Sequence, residues 1–494
     1  MTTKHLVIIG GGLAGLSAGC YALASGYRVT VVEHNLALGG VCTAWPRGEY
    51  LIDGCIQWLT GGPFDALYRE LGVLPALQRR TMREFVTWRD GPGPGVSIGA
   101  DPRQLRENLT ALAPADADEI ERLIEAASEF ATLDPGADRA PELTSIRERL
   151  RGLGELAPHL GALVHFRGTV AEWSTKRLRS ERLRRLISRV LPGDAPALFL
   201  LMVLGYLARG WLSRPVGGSG AFRDLLAGRF RSLGGEVLLR TTVDEIVVRG
   251  DRACGVRLED GTAVEADEVI STASSPETVF RLLGGRYGAD ELRERLARWS
   301  LFDPIVIASF GVEQAFAEQP STLVLDGLAP FHAGGAWNDF LHVRIFNEGP
   351  EFAPPGHTVV QTILRADFDW WATRGERYVH EKDVVAATAL AQLERHLPGV
   401  TAAARMRDVA TPLTFWRGAR SWRGAFEGWR SSPDGVTAHL AKTLPGIGGL
   451  HLAGQWVEPG GGVPTAVMSG RQAVQLLCAE ARLPFAAPAP TAGS

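Results

Sequence analysis

The sequence predicts an α/β protein that begins with a Rossmann-type domain. Three observations predict it: a buried strand over Leu6–Ile9, a glycine-rich turn directly after it, and a second apolar strand over Val29–Val32 that ends in an acid. Strand, turn, helix and parallel strand make one βαβ unit, which binds a dinucleotide at its first turn. The spacing therefore predicts a nucleotide site near the start of the chain.

The turn reads Gly10-x-Gly12-x-x-Gly15, and each glycine has a different task. Gly10 makes the tight turn. Gly12 lets the backbone approach a pyrophosphate, because a Cβ there would collide with it, and Gly15 lets the helix press on the sheet. The helix start at Leu13 and Ala14 offers free N–H groups and a positive dipole end to the phosphates.

The acid that closes the second strand is Glu33, followed by His34. A carboxylate at this distance from the turn accepts a hydrogen bond from a ribose hydroxyl. The alternative is a glycine-rich turn in an ordinary βαβ unit without a ligand. The acid at the right distance favours the nucleotide site.

Length and composition exclude several classes of protein. At 494 residues the chain is too long for one small core, so we expect two interleaved domains. A charged content of 22% and a net charge of −3 are typical of a globular protein without a nucleic-acid partner. The five cysteines are scattered and form no CxxC pair, which predicts neither a disulfide framework nor a metal site. We expect a reducing, cytoplasmic location.

Only one dinucleotide fingerprint occurs in the chain. An enzyme that holds FAD and a nicotinamide in separate modules usually shows two. We therefore expect a resident FAD whose electrons leave to an acceptor other than a nicotinamide, namely oxygen or a quinone.

The remaining elements follow from apolar periodicity and from Gly/Pro breaks between periodic segments. In chain order we expect a helix near Phe64–Leu71, strands around Phe85–Trp88 and Val96–Ile98, mostly helix over 111–212, a helix over Ala221–Leu233, strands over Glu236–Leu239, Val243–Arg249, Ala253–Leu258, Thr262–Glu265 and Asp267–Ser271, helix over 280–300, several strands over 303–370, a helix over Lys382–His396, a strand over Leu450–Ala453 and a helix over Thr465–Ala481.

The most apolar stretch, 195–208, is shorter than the ~20 residues that a membrane-spanning helix needs. A basic run precedes it, with leucines at helical spacing. Two interpretations stay open. Such a helix pair docks on an anionic membrane surface, which would give peripheral contact with the inner face of the membrane. Alternatively it is a helical segment of the substrate domain with a solvated charged face. The residues of the basic run are Lys176, Arg177, Arg179, Arg182, Arg184, Arg185 and Arg189.

Later motifs extend the nucleotide interpretation to nearly the whole chain, up to about residue 480. Their order resembles the phytoene desaturase family of flavoproteins, which includes bacterial carotenoid desaturases, carotenoid cis–trans isomerases and relatives of retinol saturase. The segments that carry the resemblance are Gly39-Gly40, Tyr50–Gly54, Gly217–Gly220, Gly234–Val237, Val243–Ile246, Gly255-Val256, Asp260-Gly261, Ala266–Ser271, Ala353–Gly356, Ala410–Thr414, Gly424–Trp429 and Gly454–Pro464.

The resemblance implies a Rossmann-type FAD-binding domain of the glutathione-reductase/amine-oxidase kind with an interleaved α+β substrate domain. We expect the FAD-binding domain to comprise residues 1–110, 214–300 and 440–483, and the substrate-binding domain to comprise 111–213 and 301–439. Residues 484–494 are expected to form a disordered tail.

Carried over residue by residue, the resemblance implies a cofactor site built from both ends of the chain. The first turn would line the pyrophosphate, Glu33 would hold the ribose, Val243 would present its backbone to the adenine, and the loop 454–464 would wrap the ribityl chain and flavin. The implied cofactor-binding residues are Gly10, Gly12, Leu13, Ala14, Gly15, Glu33, His34, Gly39, Gly40, Val41, Val243, Gly454, Gln455, Glu458, Gly462, Val463 and Pro464.

Two positions depart from the family pattern. Val41 stands where relatives often place arginine, and Gln455 stands where many such flavoproteins place aspartate after the glycine. A glutamine amide still hydrogen-bonds a ribityl hydroxyl, now without charge.

The closing loop has its own chemical logic. Glycines 460–462 allow backbone to lie against a planar ring, and the Val463 N–H together with the following helix points positive charge at the N1–C2=O2 edge of a flavin. Pro464 suits the start of that helix. The loop contains no Cys or His, so we expect non-covalent FAD, although His451 is nearby.

No Ser/His/Asp series and no HExxH motif is present, so the sequence gives no diagnostic base. Glu458 is the candidate acid/base, with a solvent-facing loop carboxylate as the alternative. Arg417 is the candidate to meet a polar substrate end or the flavin, with an ordinary solvated arginine as the alternative. Tryptophans near the motifs are the candidate lining of an apolar tunnel, with ordinary core packing as the alternative; they are Trp58, Trp416, Trp422 and Trp429.

The favoured function is FAD-dependent dehydrogenation, with hydride transfer to flavin N5, of a hydrophobic substrate such as an isoprenoid or other natural product. Redox-neutral isomerisation or saturation of a polyene is the first alternative. An amine oxidase is disfavoured because no amine-cage pattern is evident. A non-catalytic prenyl-binding carrier of the Rab escort kind is disfavoured by the intact segments 10–15 and 454–464.

Overall fold

The fold, taken from a computed structural model, is described for residues 3–91, 93–133, 136–431 and 440–490. Within these ranges the strands are β1 (His5–Ile9), β2 (Arg28–Val32), β3 (Ala44–Arg47), β4 (Tyr50–Asp53), β5 (Leu59–Thr60), β6 (Arg79–Thr81), β7 (Glu84–Arg89), β8 (Val96–Gly99), β9 (Leu212–Pro215), β10 (Glu236–Leu238), β11 (Val243–Arg249), β12 (Arg252–Leu258), β13 (Ala263–Glu265), β14 (Glu268–Ser271), β15 (Ile305–Val312), β16 (Thr322–Leu325), β17 (Phe331–Ala333), β18 (Ala336–Asn338), β19 (Leu341–Ile345), β20 (Thr358–Arg365), β21 (Ala404–Ala410) and β22 (Leu450–Leu452).

The helices of the same ranges lie between these strands, except for the last helix, which follows them. They are α1 (Leu13–Ala24), α2 (Asp65–Glu70), α3 (Pro102–Leu112), α4 (Ala117–Phe130), α5 (Ile146–Leu156), α6 (Leu160–His165), α7 (Val170–Arg177), α8 (Glu181–Val190), α9 (Ala197–Ala208), α10 (Gly218–Ser232), α11 (Ala289–Arg298), α12 (Phe368–Ala372), α13 (Tyr378–Glu394), α14 (Val400–Ala403), α15 (Pro412–Ala419) and α16 (Val463–Ala481).

A five-stranded parallel sheet carries the two ends of the chain, in the order β10-β2-β1-β14-β22. Every residue of β1 is buried, as an apolar run without alternation requires when both faces of a parallel sheet are covered. Helix α1 packs against α16 and α10. The predicted α/β class with a parallel sheet is confirmed.

A second, seven-stranded sheet has the order β21-β15-β20-β19-β16-β7-β8 and is antiparallel except where β16 runs parallel to β7. The expectation of several strands over 303–370 agrees with β15 to β20. Residues 84–99, which lie within the segment 1–110 that the sequence analysis expects to bind FAD, form β7 and β8 of this sheet. Leu323 pairs with Thr87 across a long stretch of chain, and such pairing leaves no local pattern.

The β-rich middle of the chain agrees with the prediction to within a residue or two. Strands β11, β12 and β13 form an antiparallel meander, and β14 then joins the parallel sheet. At the turn between β12 and β13, the Asp260 carboxylate accepts the N–H of Thr262 at 2.9 Å, and Gly261 has a φ of +87°. That turn therefore needs glycine.

The apolar stretch and the basic run form α9 and α8. Helix α9 packs against α4 in the core and most of its residues are buried. In α8, Arg182 binds Asp90 through two hydrogen bonds of 2.8 Å, while Arg185 and Arg189 pair with the buried Asp326. These pairings favour the second interpretation, a helical segment with a charged outer face. In the described ranges no helix is both long and apolar enough to cross a membrane.

The start of the C-terminal segment packs on the first helix. The ring of Phe485 stacks on Tyr21 with centroids 5.7 Å apart, and the Ala486 N–H donates to Ser25 Oγ at 3.1 Å. Phe485, four residues after the end of α16, fixes this segment on α1. Residues 491–494 lie outside the described ranges.

Candidate functional site

One large cavity opens at the carboxyl ends of the parallel strands, where ligands of such sheets bind. Its wall includes Gly10 after β1, Glu33 after β2, Thr272 after β14 and Gly454 after β22. The cavity is partly open to solvent and is lined by segments from both ends of the chain, from Ile9 to Cys55 and from Gly454 to Ala466.

Most of the residues that the sequence assigned to the cofactor lie on this wall. Gly15, Glu458 and Pro464 do not. Those that line the cavity are Gly10, Gly12, Leu13, Ala14, Glu33, His34, Gly39, Gly40, Val41, Val243, Gly454, Gln455, Gly462 and Val463.

The three glycines of the first turn occupy three different environments. Gly10 has a φ of +97°, and a Cβ on Gly15 would lie 2.1 Å from the carbonyl oxygen of Gly10. A Cβ on Gly12 would instead meet only the Cα of Gly40, at 4.0 Å. The side-chain space at Gly12 is therefore cavity and not protein, which fits a group that passes between Gly12 and Gly40.

Two long helices begin at the cavity wall. Helix α1 starts after Gly12 and α16 starts after Gly462, and neither has a side chain that caps its first N–H groups. Each helix end thus presents unpaired N–H donors and positive charge to the cavity. One such end suits a pyrophosphate and the other an anionic ring edge, so the residues present fit a flavin dinucleotide.

Glu33 is buried on the cavity wall directly after β2. Its Oε2 accepts the Gly11 N–H at 2.8 Å, and its Oε1 accepts the Asn35 N–H at 2.9 Å and faces His34 Nδ1 at 3.1 Å. Burial raises the pKa of Glu33, but the hydrogen bonds from His34, Asn35 and Gly11 outweigh it and leave the pKa below the ordinary value. A carboxylate oxygen has two acceptor positions, so Oε2 keeps one for a ribose hydroxyl.

The end of α15 covers this part of the cavity. His34 Nε2 donates to the carbonyl oxygen of Arg417 at 3.0 Å, and Gly418 and Arg420 line the wall. Both ring nitrogens of His34 face acceptors, so the doubly protonated, cationic ring satisfies both contacts. The bond to Glu33 accordingly raises the pKa of His34. The Arg417 guanidinium itself lies over the ring of Tyr378, at 5.1 Å, and does not line the cavity.

The His34 contacts predict a pH-dependent stability. Because the folded chain binds this proton more tightly, the contribution is complete below the unfolded pKa of about 6.5 and is lost as pH rises through the raised folded pKa. Replacing the charge-assisted hydrogen bond between His34 and Glu33 by a neutral one lowers the free energy of unfolding by about 1 kcal/mol. Thermal unfolding from about pH 5 to about pH 9 should show this fall in the wild type and not in His34→Gln. Equal slopes in the two proteins would contradict it.

The other end of the cavity is more apolar. Phe426 and Trp456 line it, and the Gln455 side-chain amide donates to the carbonyl oxygen of Phe426 at 2.6 Å. Cys42 and Cys55 lie on the same wall. The segment 418–427, which the sequence placed in the substrate domain, thus supplies one wall of the cofactor cavity.

Glu427 is the residue at this end that the sequence analysis missed. Glu427 lines the cavity, and a Cβ on Gly461 would lie 2.6 Å from the Glu427 Cβ, so Glu427 lies against the closing glycine loop. Burial raises its pKa to about 7. Among the described residues no hydrogen bond or ion pair engages this carboxyl. The segment Gly424–Trp429 was matched to a family motif, and the acid within it was the available signal.

Glu458, the acid/base candidate of the sequence, is engaged elsewhere. Its Oε1 lies 2.8 Å from Nζ of Lys442, whose side chain is fully buried, and Glu142 adds a second carboxylate at 3.6 Å. The Nζ–Glu458 contact is an ion pair without the alignment of a hydrogen bond. Glu458 therefore anchors the closing loop to the chain beside it.

Glu458→Gln should destabilise the fold, because the buried ammonium group of Lys442 then keeps only the more distant Glu142 as a partner. Removing one partner of a buried pair costs about 3–5 kcal/mol, and the remaining carboxylate places this case near the lower figure. Urea unfolding measures the change, and Glu142→Gln is the matched control with a smaller loss. A loss of stability no larger in Glu458→Gln than in Glu142→Gln would refute the assignment.

The four tryptophans proposed for the substrate lining pack outside the cavity wall. Trp58 meets Phe85 with ring centroids 5.0 Å apart, and Trp429 is fully buried against Trp456. Trp416 packs against Phe368, and Trp422 belongs to the cluster around Trp429. Within the described ranges no group of metal-ligating side chains occurs.

Further wall residues had no sequence signal. Thr241 and Thr242 line the cavity next to Val243, and Glu277 of the same wall pairs with Arg281 at 2.6 Å. Arg281 also donates to the carbonyl oxygen of Val243 at 2.8 Å. The carbonyl oxygen of Val243 is therefore already engaged in a hydrogen bond within the protein.

Comparison with known proteins identifies relatives over nearly the whole chain. A family model described as flavin containing amine oxidoreductase matches residues 13–478. The lycopene-forming phytoene desaturase of Pseudescherichia vulneris is 25% identical, with 96% of this chain and 99% of that protein covered. Prolycopene isomerase 1 of an Oncidium hybrid cultivar is 26% identical, with 61% of this chain and 52% of that protein covered.

Solved structures share the fold. Wild-type putrescine oxidase bound to putrescine has a TM-score of 0.62 at 16% identity and covers 97% of this chain and 99% of its own. Cyclohexylamine oxidase from Brevibacterium oxydans IH-35A has a TM-score of 0.59 at 17% identity, with 97% and 100% covered. At this identity the likeness shows the fold alone, and it confirms the predicted amine-oxidase kind of α/β fold.

The predicted resemblance to phytoene desaturases and the predicted flavin-dependent oxidoreductase are both confirmed. The chain belongs to the family of flavin-containing amine oxidoreductases.

Proposed function

We propose that the protein is an FAD-dependent dehydrogenase that introduces a C=C bond into a hydrophobic substrate of isoprenoid or similar natural-product type. The observation that carries the proposal is the Glu427 carboxyl, which faces the apolar end of the cavity beside the glycine loop. Forming a C=C bond removes a hydride from one carbon and a proton from its neighbour, so the reaction needs a proton acceptor as well as an oxidant.

The chain's own residues would hold FAD without a covalent bond. The α1 N-terminus and Gly12 suit the pyrophosphate, Glu33 the ribose, and the α16 N-terminus at Val463 the N1 edge of the ring. When bound, FAD supplies a hydride acceptor at N5. The closing loop 454–464 contains neither Cys nor His, which supports non-covalent binding.

The apolar surroundings support a hydrophobic substrate. Phe426 packs with Phe415, Ile307 and Ile363, which belong to the sheet face and to α15. Burial keeps the pKa of the adjacent Glu427 carboxyl high, so its proton affinity is suited to neutral pH. Two relatives are named for a lycopene-forming desaturation and a prolycopene isomerisation, both on polyenes.

Glu427 would take the substrate proton, and Glu458 would not, because Glu458 is held by Lys442 outside the cavity wall. Oxygen or a quinone would accept the electrons afterwards, since the chain carries one dinucleotide fingerprint.

The test is anaerobic mixing of the flavin-loaded protein with phytoene in liposomes, and separately with putrescine. The proposal predicts loss of the oxidised-flavin absorbance with phytoene and a product lighter by two hydrogens for each new double bond. Conversion of a cis-polyene without mass change would favour the isomerase instead. Bleaching by putrescine alone would make the protein an amine oxidase.

A further inference from the structure

The hairpin of β3 and β4 brings two cysteines near each other. Ala44 pairs with Asp53, and the Gly54 N–H donates to the carbonyl oxygen of Thr43 at 3.0 Å. Cys42 precedes Thr43 and Cys55 follows Gly54, so this hydrogen bond holds the two cysteines side by side just beyond the end of the ladder. A disulfide requires Cα atoms about 4.4–6.8 Å apart, a separation that adjacent strands reach.

Both cysteines are free thiols. The neighbouring Cys42 thiol, together with burial, raises the pKa of Cys55 well above its ordinary value. Cys42 is 3% exposed, and its Sγ donates to the carbonyl oxygen of Ser219 at 3.6 Å. Cys55 is partly exposed.

Both cysteines line the cofactor cavity. A dinucleotide bound in this cavity would lie along the wall that both cysteines share. The two-electron oxidant that shares the cavity with the thiols is thus the flavin that the proposed function places there.

We propose that Cys42 and Cys55 form a redox-active dithiol that exchanges two electrons with the bound flavin and closes as a disulfide. Two S–H bonds break and one S–S bond forms. The dithiol is oxidised, and the flavin is reduced with two electrons and one proton. The second proton passes to the Glu427 carboxylate, which is close enough to Cys55 to act on its charge. In the reverse direction the disulfide receives electrons that the flavin has taken from substrate.

This inference rests on the proposed function only in requiring flavin in the cavity. The test is an anaerobic dithionite titration of the air-oxidised, flavin-loaded protein without substrate. A coupled disulfide predicts uptake of four electrons per flavin in the wild type. Cys42→Ser and Cys55→Ser should each take up two, at unchanged flavin content. Cys254→Ser, on β12 and away from the cavity wall, is the matched control and should take up four.

Peptide mapping of the same samples after thiol alkylation gives a second readout. The oxidised wild type should yield a disulfide that links the peptides of Cys42 and Cys55, and the dithionite-reduced sample should yield both as alkylated thiols. Two-electron uptake together with two alkylated cysteines in the oxidised wild type would overturn the inference. If the protein desaturates phytoene but takes up only two electrons, the redox-active dithiol is refuted and the proposed function stands. If it takes up four electrons but oxidises no polyene, the proposed function is refuted and the dithiol stands.

Discussion

Gly12→Val should leave the chain folded and remove its flavin. A Cβ at this position meets only the Cα of Gly40, at 4.0 Å, so the valine side chain projects into the cavity and does not displace protein atoms. The space it takes is the space through which the pyrophosphate must pass between Gly12 and Gly40. We expect flavin affinity to fall at least about 100-fold, which corresponds to roughly 3 kcal/mol.

The measurement is the ratio of flavin to protein absorbance after purification, with far-UV circular dichroism as the check on folding. Gly228→Val is the matched control, because Gly228 is an exposed glycine within α10 where an added Cβ meets nothing within 4 Å. The control should keep its flavin. Normal flavin content in Gly12→Val would show that this turn does not hold the cofactor.

Glu427→Gln should abolish most of the substrate-dependent flavin reduction while flavin stays bound. An amide cannot accept the proton, and loss of a positioned base costs about 10²–10⁴-fold in rate. The wild-type rate should rise with pH through a midpoint of about 7, where the carboxyl ionises, and this rise should be missing in the variant. Rapid-mixing absorbance measurements across pH give both quantities. A Glu427→Gln rate within a few-fold of wild type would remove Glu427 from the mechanism.

Two further readouts separate a base from a merely structural acid. Because the folded chain binds the Glu427 proton more tightly, stability should fall as pH rises from 4.5 towards about 7, and Glu427→Gln should lack that fall. Glu458→Gln is the matched carboxyl control. It should lose stability through Lys442 but keep the midpoint of the rate near the wild-type value.

The parts of the fold that could be predicted from the sequence are those with a local signature. The β1–α1–β2 unit and strand β14 were predicted correctly, because the residues at each position favour both the secondary structure and the burial found there. The differing needs of Gly10, Gly12 and Gly15 also followed from chemistry alone and match their surroundings.

What could not be predicted depends on contacts between distant segments. The membership of β7 in the second sheet depends on pairing with β16, more than two hundred residues later. Burial raises the pKa of Glu427, and the closing loop that lies against it is distant in the sequence, so no spacing announces that contact. Cys42 and Cys55 looked scattered because the β3–β4 hairpin, not their separation, brings them near each other.

Acid extraction of the purified protein tests the central claim most directly. The account predicts a yellow protein that releases about one FAD per chain into the supernatant, identified by mass, and leaves a colourless precipitate. FMN in the supernatant would contradict the ribose role of Glu33. Flavin retained on the precipitated polypeptide would contradict non-covalent binding, and a protein without any flavin would contradict the account as a whole.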